Sequence, residues 1–207
     1  MIFQEKLKSK EKIFLDGGNG SEIARLGGDM SPAFAALATI NSPDLVIKVH
    51  ENFINAGCDI ITANTFATNR HNLDSLNRSD DTDKFILKSV ELAKKALSNT
   101  GKENKIGIAG SLSNFFPLKE NEFVPNPKYV PTYKQEEKNY REAAKILKDS
   151  GVDILISAPQ KGWSSQPCAG LVMMSERARR KIESTESDSF AIDLKKWLSI
   201  MEIYEKS

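Results

Sequence analysis

Asp16 follows the apolar run Ile13-Phe14-Leu15 and is followed at once by Gly17, Gly18 and Gly20. A carboxylate there can accept hydrogen bonds from a ligand ammonium, and glycines supply unusual backbone angles at a tight turn. A second run repeats the layout: Asp59-Ile60-Ile61-Thr62-Ala63 ends in Asn64-Thr65-Phe66, whose amide and hydroxyl suit a carboxylate or an amine. A third run, Lys105 to Gly110, ends in Ser111. Each has the form of a buried strand opening into a loop, and in parallel α/β proteins ligands bind at that end of the strands. Asp16, Gly17, Gly18, Asn64, Thr65 and Ser111 are therefore the candidate substrate-binding residues. Simpler roles stand beside this one. Asp16 can be a turn carboxylate bonded to nearby amides. Asn64 and Thr65 can satisfy strand-end backbone, and Phe66 is suited to packing. No Lys-Ser or Lys-Thr pair follows the glycines, which argues against a phosphate loop.

The elements that would hold these residues alternate. Residues 12–15 read as a first strand and Ser21 to Leu26 as a short helix stopped by Gly27-Gly28. Ser42-Pro43-Asp44 opens a helix with a capping residue, a proline at the first helical position and an acid at the positive dipole end. Leu45, Val49, Phe53 and Ile54 form its apolar face, and Gly57 ends it. A second strand, Asp59–Thr62, follows. Asp81 to Leu97 is amphipathic, with Phe85, Val90, Leu92, Ala93 and Leu97 as core. Residues 105–111 are a third strand, Lys134 to Ser150 a charged helix, and Asp153–Ile156 a fourth strand. Between Asn114 and Pro131 lies a long proline-bearing loop, and loops of that length are usually functional or flexible. An internal repeat supports the alternation: Ala56-Gly57-Cys58-Asp59-Ile60-Ile61 parallels Ser150-Gly151-Val152-Asp153-Ile154-Leu155. Helix, glycine stop, one residue, Asp and strand is the junction of repeated βα units with right-handed crossovers. The expected class is α/β. A (βα) barrel comes first and a doubly wound sheet second.

Composition bounds the function. The 207 residues are 40% hydrophobic and 28% charged with a net charge of +1, so no global field recruits nucleic acid or a membrane surface. The basic cluster Arg177 to Lys181 reads as a solvated face. No apolar run approaches the ~20 residues that span a bilayer. Residues 1–11 are a polar lead-in without the apolar core of a secretory signal. The chain has two cysteines, Cys58 and Cys168, so no disulfide framework is expected and a cytoplasmic setting is. Cys58 reads as a small core residue and His50 as structural. His71, with Asn69 and Arg70, reads as a solvated loop.

The alternation stops after about four βα units, at residue 157. Residues 158–207 form a divergent tail of changed composition, with an amphipathic helix from Phe190 to Tyr204. An eight-unit barrel runs to ~250 residues. Four units alone leave strand edges open, to be covered by the tail, a second copy or a partner.

Taken in order, these motifs resemble those of the homocysteine S-methyltransferases. Leu15-Asp16-Gly17-Gly18-Asn19-Gly20-Ser21-Glu22 looks like the family's opening motif. Ser42 to Val46, His50, Ala56-Gly57 and Asp59 to Phe66 resemble its second unit, Ile108 to Ser111 its third strand, and Ser150 to Leu155 the run into its fourth. The resemblance covers residues 12–157 and implies a (βα)8 TIM barrel. It implies methyl transfer from a small sulfonium, ammonium or folate donor to the homocysteine thiolate, giving methionine. It further implies a zinc ion held by three cysteines, one after a later strand and an adjacent pair near the C-terminus. No such pair exists here, Cys58 precedes its strand, and no zinc ligands are identified. Asn19 stands where the family often has an apolar residue, and Ser157 follows the fourth strand where the family tends to place an acid. Two readings follow: a homocysteine S-methyltransferase-like chain, whether active or left inactive by truncation or a frameshift, or a non-catalytic half-barrel that binds an amino acid or pairs with another subunit.

Overall fold

The computed structural model describes residues 13–30, 33–113, 115–120, 122 and 124–157. The lead-in, Cys168, the basic cluster, the Phe190–Tyr204 helix and the rest of the tail lie outside the described residues.

The chain enters the sheet at Phe14 and Leu15. Leu15 forms a parallel bridge with Ile60, and Asp16 N donates to Ile60 O at 3.0 Å. Three strands follow: β1 (Ile60–Ala63), β2 (Gly107–Ser111) and β3 (Ile154–Ile156), all parallel, in the order β1-β2-β3. The neighbours are consecutive throughout, starting from the Leu15 bridge. A doubly wound sheet would reverse its order at a switch point, and the described strands show no reversal. The predicted first strand is thus reduced to a bridge; the other three fall within two residues of their predicted starts.

The helices follow the same order. They are α1 (Asn19–Arg25), α2 (Ala38–Asn41), α3 (Pro43–Asn55), α4 (Arg70–Asp74), α5 (Thr82–Thr100) and α6 (Tyr133–Asp149). Helix α3 starts at Pro43 after Ser42, as expected, although the Ser42 side chain makes no capping bond. Thr132 caps α6 by accepting from Gln135 N at 3.3 Å. Helices α3, α5 and α6 bury their apolar faces on one side of the sheet: Ile54, Ile86, Val90, Ala93, Leu97 and Leu147 pack against Ile61, Ala63 and Ile108. Strand alternation then sends Ile60, Thr62, Ala109 and Ser111 to the opposite face. Gly110 lies on the helix side, where a Cβ would stand 2.8 Å from Leu147 Cδ2, so the absence of a side chain lets α6 approach the sheet.

The glycines split by purpose. Gly27, Gly57, Gly101 and Gly151 take positive φ just past the ends of α1, α3, α5 and α6. Gly17, Gly18 and Gly20, predicted to supply unusual angles, do not have positive φ. Gly17 is required by space instead: a Cβ there would lie 2.9 Å from Phe53 Cε1.

The repeated junction has a definite job. Asp59 Oδ2 accepts from Phe14 N at 3.0 Å and Asp153 Oδ2 accepts from Ile108 N at 2.8 Å. In the same places Asp59 N donates to Phe14 O at 2.7 Å and Asp153 N donates to Ile108 O at 2.8 Å. Each Asp therefore clasps the backbone of the preceding strand and fixes where the next one starts.

The long loop after β2 is partly regular, with an antiparallel bridge Leu118–Pro125 and a 3₁₀ turn Pro127–Tyr129. Residues 69–71, predicted to be a solvated loop, are instead the N-cap and first turn of α4. Asn69 and His71 are 2% and 5% exposed. Asn69 Nδ2 donates to Ser113 O, and Arg70 forms a two-point ion pair with Glu142 of α6 at 2.7 and 3.0 Å. Local polarity misled here because all these partners are distant in sequence.

Candidate functional site

The C-terminal ends of the strands share one rim. Asp16 Oδ2 accepts from Thr62 N at 2.7 Å, and Asp16 Oδ1 accepts from Thr62 Oγ1 at 2.7 Å. Thr65 Oγ1 accepts from Ser111 N at 2.9 Å and lies 3.0 Å from Ser111 O, to which it donates. The first segment is thus pinned to β1, and β1 to β2, by side chains at the rim. Asn64 Nδ2 donates to Ala35 O at 2.8 Å and to Thr39 Oγ1 at 3.1 Å.

A cavity of about 480 Å³ opens at this rim. Gly17, Gly18, Asn64 and Ser111 line it, together with Asn19, Thr62 and three phenylalanines. Of the sequence candidates, Asp16 and Thr65 do not line it; both are engaged in tying strand ends together. Phe34, Phe66 and Phe115 form one wall. Their centroids are 5.5 Å apart for Phe34–Phe66, 4.8 Å for Phe34–Phe115 and 5.5 Å for Phe66–Phe115. Phe34 has φ 51°, a strained region for a bulky residue, and its ring lines the cavity. An apolar wall facing a few fixed polar groups is the usual make-up of a small-molecule site.

Sequence reasoning missed Asn19, Thr62, Phe34 and Phe115. Period-two alternation was the available signal for Thr62, since Ile60, Thr62 and Asn64 must share a face. Asn19 Nδ2 donates to Asp16 Oδ2 at 2.9 Å and to Thr62 O at 3.0 Å, and the latter partner is 43 positions away.

Both histidines are buried and held neutral. His71 Nε2 donates to Phe115 O at 3.1 Å, and Nδ1 accepts from Asn139 Nδ2 at 3.3 Å, a tautomer fixed by partners that can only accept or only donate. Burial pushes its pKa down to about 4, against the raising effect of the Phe115 carbonyl. His50 is fully buried with neither ring nitrogen hydrogen-bonded; burial pushes it down to about 4 despite the Asp16 carboxylate. Cys58 sits in the core, and burial, reinforced by Asp16 and Asp59, raises its thiol to about 11.

These residues do not fit a zinc ion. Among the described residues no three His, Cys, Asp or Glu side chains cluster as ligands. Cys58 precedes β1, at the end of the strand away from the cavity, and its raised pKa opposes the thiolate a metal requires.

Sequential parallel strands, helices on one face and a cavity at the strands' C-terminal rim define an α/β protein of repeated βα units. The profile of the homocysteine S-methyltransferase family matches residues 13–159, and the chain belongs to that family. It is 30% identical over 162 residues to the selenocysteine methyltransferase of Astragalus bisulcatus, covering 67% of this chain and 47% of that one. It is 28% identical over 102 residues to homocysteine S-methyltransferase 2 of Arabidopsis thaliana, covering 48% of this chain and 30% of that one. The chain thus spans less than half the length of each. Among solved structures, the metallated homocysteine methyltransferase MmuM of Escherichia coli superposes with a TM-score of 0.59 at 20% identity, over 75% of this chain and 57% of that one. That likeness concerns the fold.

Proposed function

We propose that this chain binds homocysteine in the rim cavity and derives from an enzyme that transfers a methyl group to its sulfur. The observation that carries the reading is the cavity itself: about 480 Å³, built from Gly17, Gly18, Asn64 and Ser111 at the strand ends and from a phenylalanine wall. An amino acid with a short thioether-forming side chain matches that division. Its charged end meets strand-end backbone and amides, and its sulfur arm lies along the rings. Asp16 sets the shape of the rim and supplies negative charge behind it. The fold we infer is the beginning of a (βα)8 barrel, and the setting is cytoplasmic.

In the parent reaction the sulfur lone pair forms an S–CH₃ bond as the donor–CH₃ bond breaks, and the sulfur must arrive as thiolate. The described residues offer binding and orientation for this, and no step is routed through zinc. A second reading has its own support. Phe14 and Leu15 at one sheet edge are 60% and 53% exposed, and Ile154 and Leu155 at the other are 37% and 41% exposed. A non-catalytic half-barrel that pairs with another subunit would cover them.

Calorimetry with L-homocysteine, followed by mass-spectrometric detection of methionine on adding a sulfonium methyl donor, tests both. Binding with turnover supports the enzyme and binding without turnover the non-catalytic half-barrel. No binding at millimolar homocysteine overturns the cavity assignment. Sedimentation velocity reports on pairing independently.

A further inference from the structure

This inference rests on the cavity being an amino-acid site, and it concerns Asn19. Asn19 lines the cavity, Asp16 does not, and the Asn19 amide is bonded to the Asp16 carboxylate. Its Nδ2 bridges Asp16 Oδ2 at 2.9 Å and Thr62 O at 3.0 Å. Both partners are acceptors, which fixes the amide's orientation, because a flipped amide would set Oδ1 against two oxygens. In the observed orientation Asn19 Oδ1 is buried and accepts no hydrogen bond. One end of the amide is satisfied while the other carries a desolvation penalty. Asp16 Oδ2 meanwhile holds two donors, Thr62 N and Asn19 Nδ2.

We propose that Asn19 is a specificity-determining residue: its amide occupies the position on Asp16 that the ammonium of an amino-acid ligand would take, and so limits how strongly the site selects an amino acid over the same molecule without its amine. An ammonium is the stronger donor to a carboxylate. To reach Asp16 it must displace Nδ2, which costs the two hydrogen bonds that Nδ2 makes. The wild-type chain is therefore a poor discriminator of the amine, and an apolar residue at position 19 makes it a sharp one.

The test compares L-homocysteine with its des-amino analogue, 4-sulfanylbutanoate, by calorimetry on wild type, Asn19→Ala and Asn19→Leu. The expected result is a rise of about tenfold or more in the affinity ratio, the size of one hydrogen bond to a charged group, arising from homocysteine alone. Adding Asp16→Asn to Asn19→Ala should abolish the gain. An unchanged or lowered ratio, including equal weakening of both ligands, overturns the role of Asn19 while leaving the site intact. Failure of wild type and variants alike to bind homocysteine overturns the amino-acid reading and this inference with it. A wild-type measurement guards against variants that do not fold: the Asn19 side-chain NH₂ resonances should shift with homocysteine and stay with the des-amino analogue, and the converse overturns the proposal.

Discussion

Asp16 and Thr62, 46 positions apart, are joined by two hydrogen bonds of 2.7 Å, one from the threonine backbone and one from its hydroxyl. The carboxylate is therefore a clamp on the end of β1. Asp16→Asn replaces one acceptor oxygen with a donor facing another donor. It should lower the unfolding free energy by roughly 2 kcal/mol. Thr62→Val removes only the hydroxyl bond and should lower it by about 1 kcal/mol. Urea denaturation of both variants checks the ranking, and equal effects would contradict the clamp.

The histidines make the fold sensitive to acid. Both folded-state values lie near 4, below the ordinary 6.5. The unfolded chain therefore takes up protons first as pH falls. Stability is fully present above about 6.5 and declines as pH drops toward about 4, by roughly 2–3 kcal/mol per histidine. Unfolding free energy measured at half-unit steps across that window should show this slope. His71→Gln should flatten it without removing it, because His50 remains.

Gly110 and Leu147 mark the closest approach of α6 to the sheet. Gly110→Ala sets a methyl group 2.8 Å from a leucine that is fully buried. The variant should lose about 1–3 kcal/mol by overpacking. Leu147→Ala should lose about 2–5 kcal/mol through the cavity it leaves. The double variant should lose less than the sum by about 1 kcal/mol, because the new methyl enters the vacated space. Strict additivity in denaturation midpoints would refute the contact.

Cys58 should be chemically quiet. With its thiol raised to about 11 by burial and by Asp16 and Asp59, little thiolate exists at pH 8. Peptide-resolved labelling with iodoacetamide should modify Cys58 at least about a hundredfold more slowly in the native state than in urea, reflecting both shielding and the missing thiolate. Comparable native and denatured rates would show that the residue is not held in the core.

Much of this was legible before any coordinates. The βα junctions before β1 and β3 announce themselves through a glycine and an Asp ahead of the apolar run, because a helix end and a strand start have local chemical requirements. The faces of α3 and α5 were readable from spacing, and Phe85, Val90, Leu92, Ala93 and Leu97 are all buried as expected. The missed features are non-local. Asn19 is defined by Thr62, His71 by Phe115 and Asn139, and Arg70 by Glu142, partners 43 to 72 positions away. No window along the chain contains both members of such a pair. Asp16 and Thr65 stand at the rim, but their types alone could not say which neighbours they bond. In the structure Asp16 bonds Thr62 at the end of β1, and Thr65 bonds Ser111 at the end of β2.

The Asp59 and Asp153 clasps mean that two of the three strands carry their own alignment device. A one-residue slip between parallel strands would exchange the helix-facing and cavity-facing side chains wholesale, and these carboxylates resist it at the base of the sheet. The register at these two junctions is thus set by residues at the strand starts themselves. Units of this kind can be added or shed at their boundaries while those that stay keep their bearings.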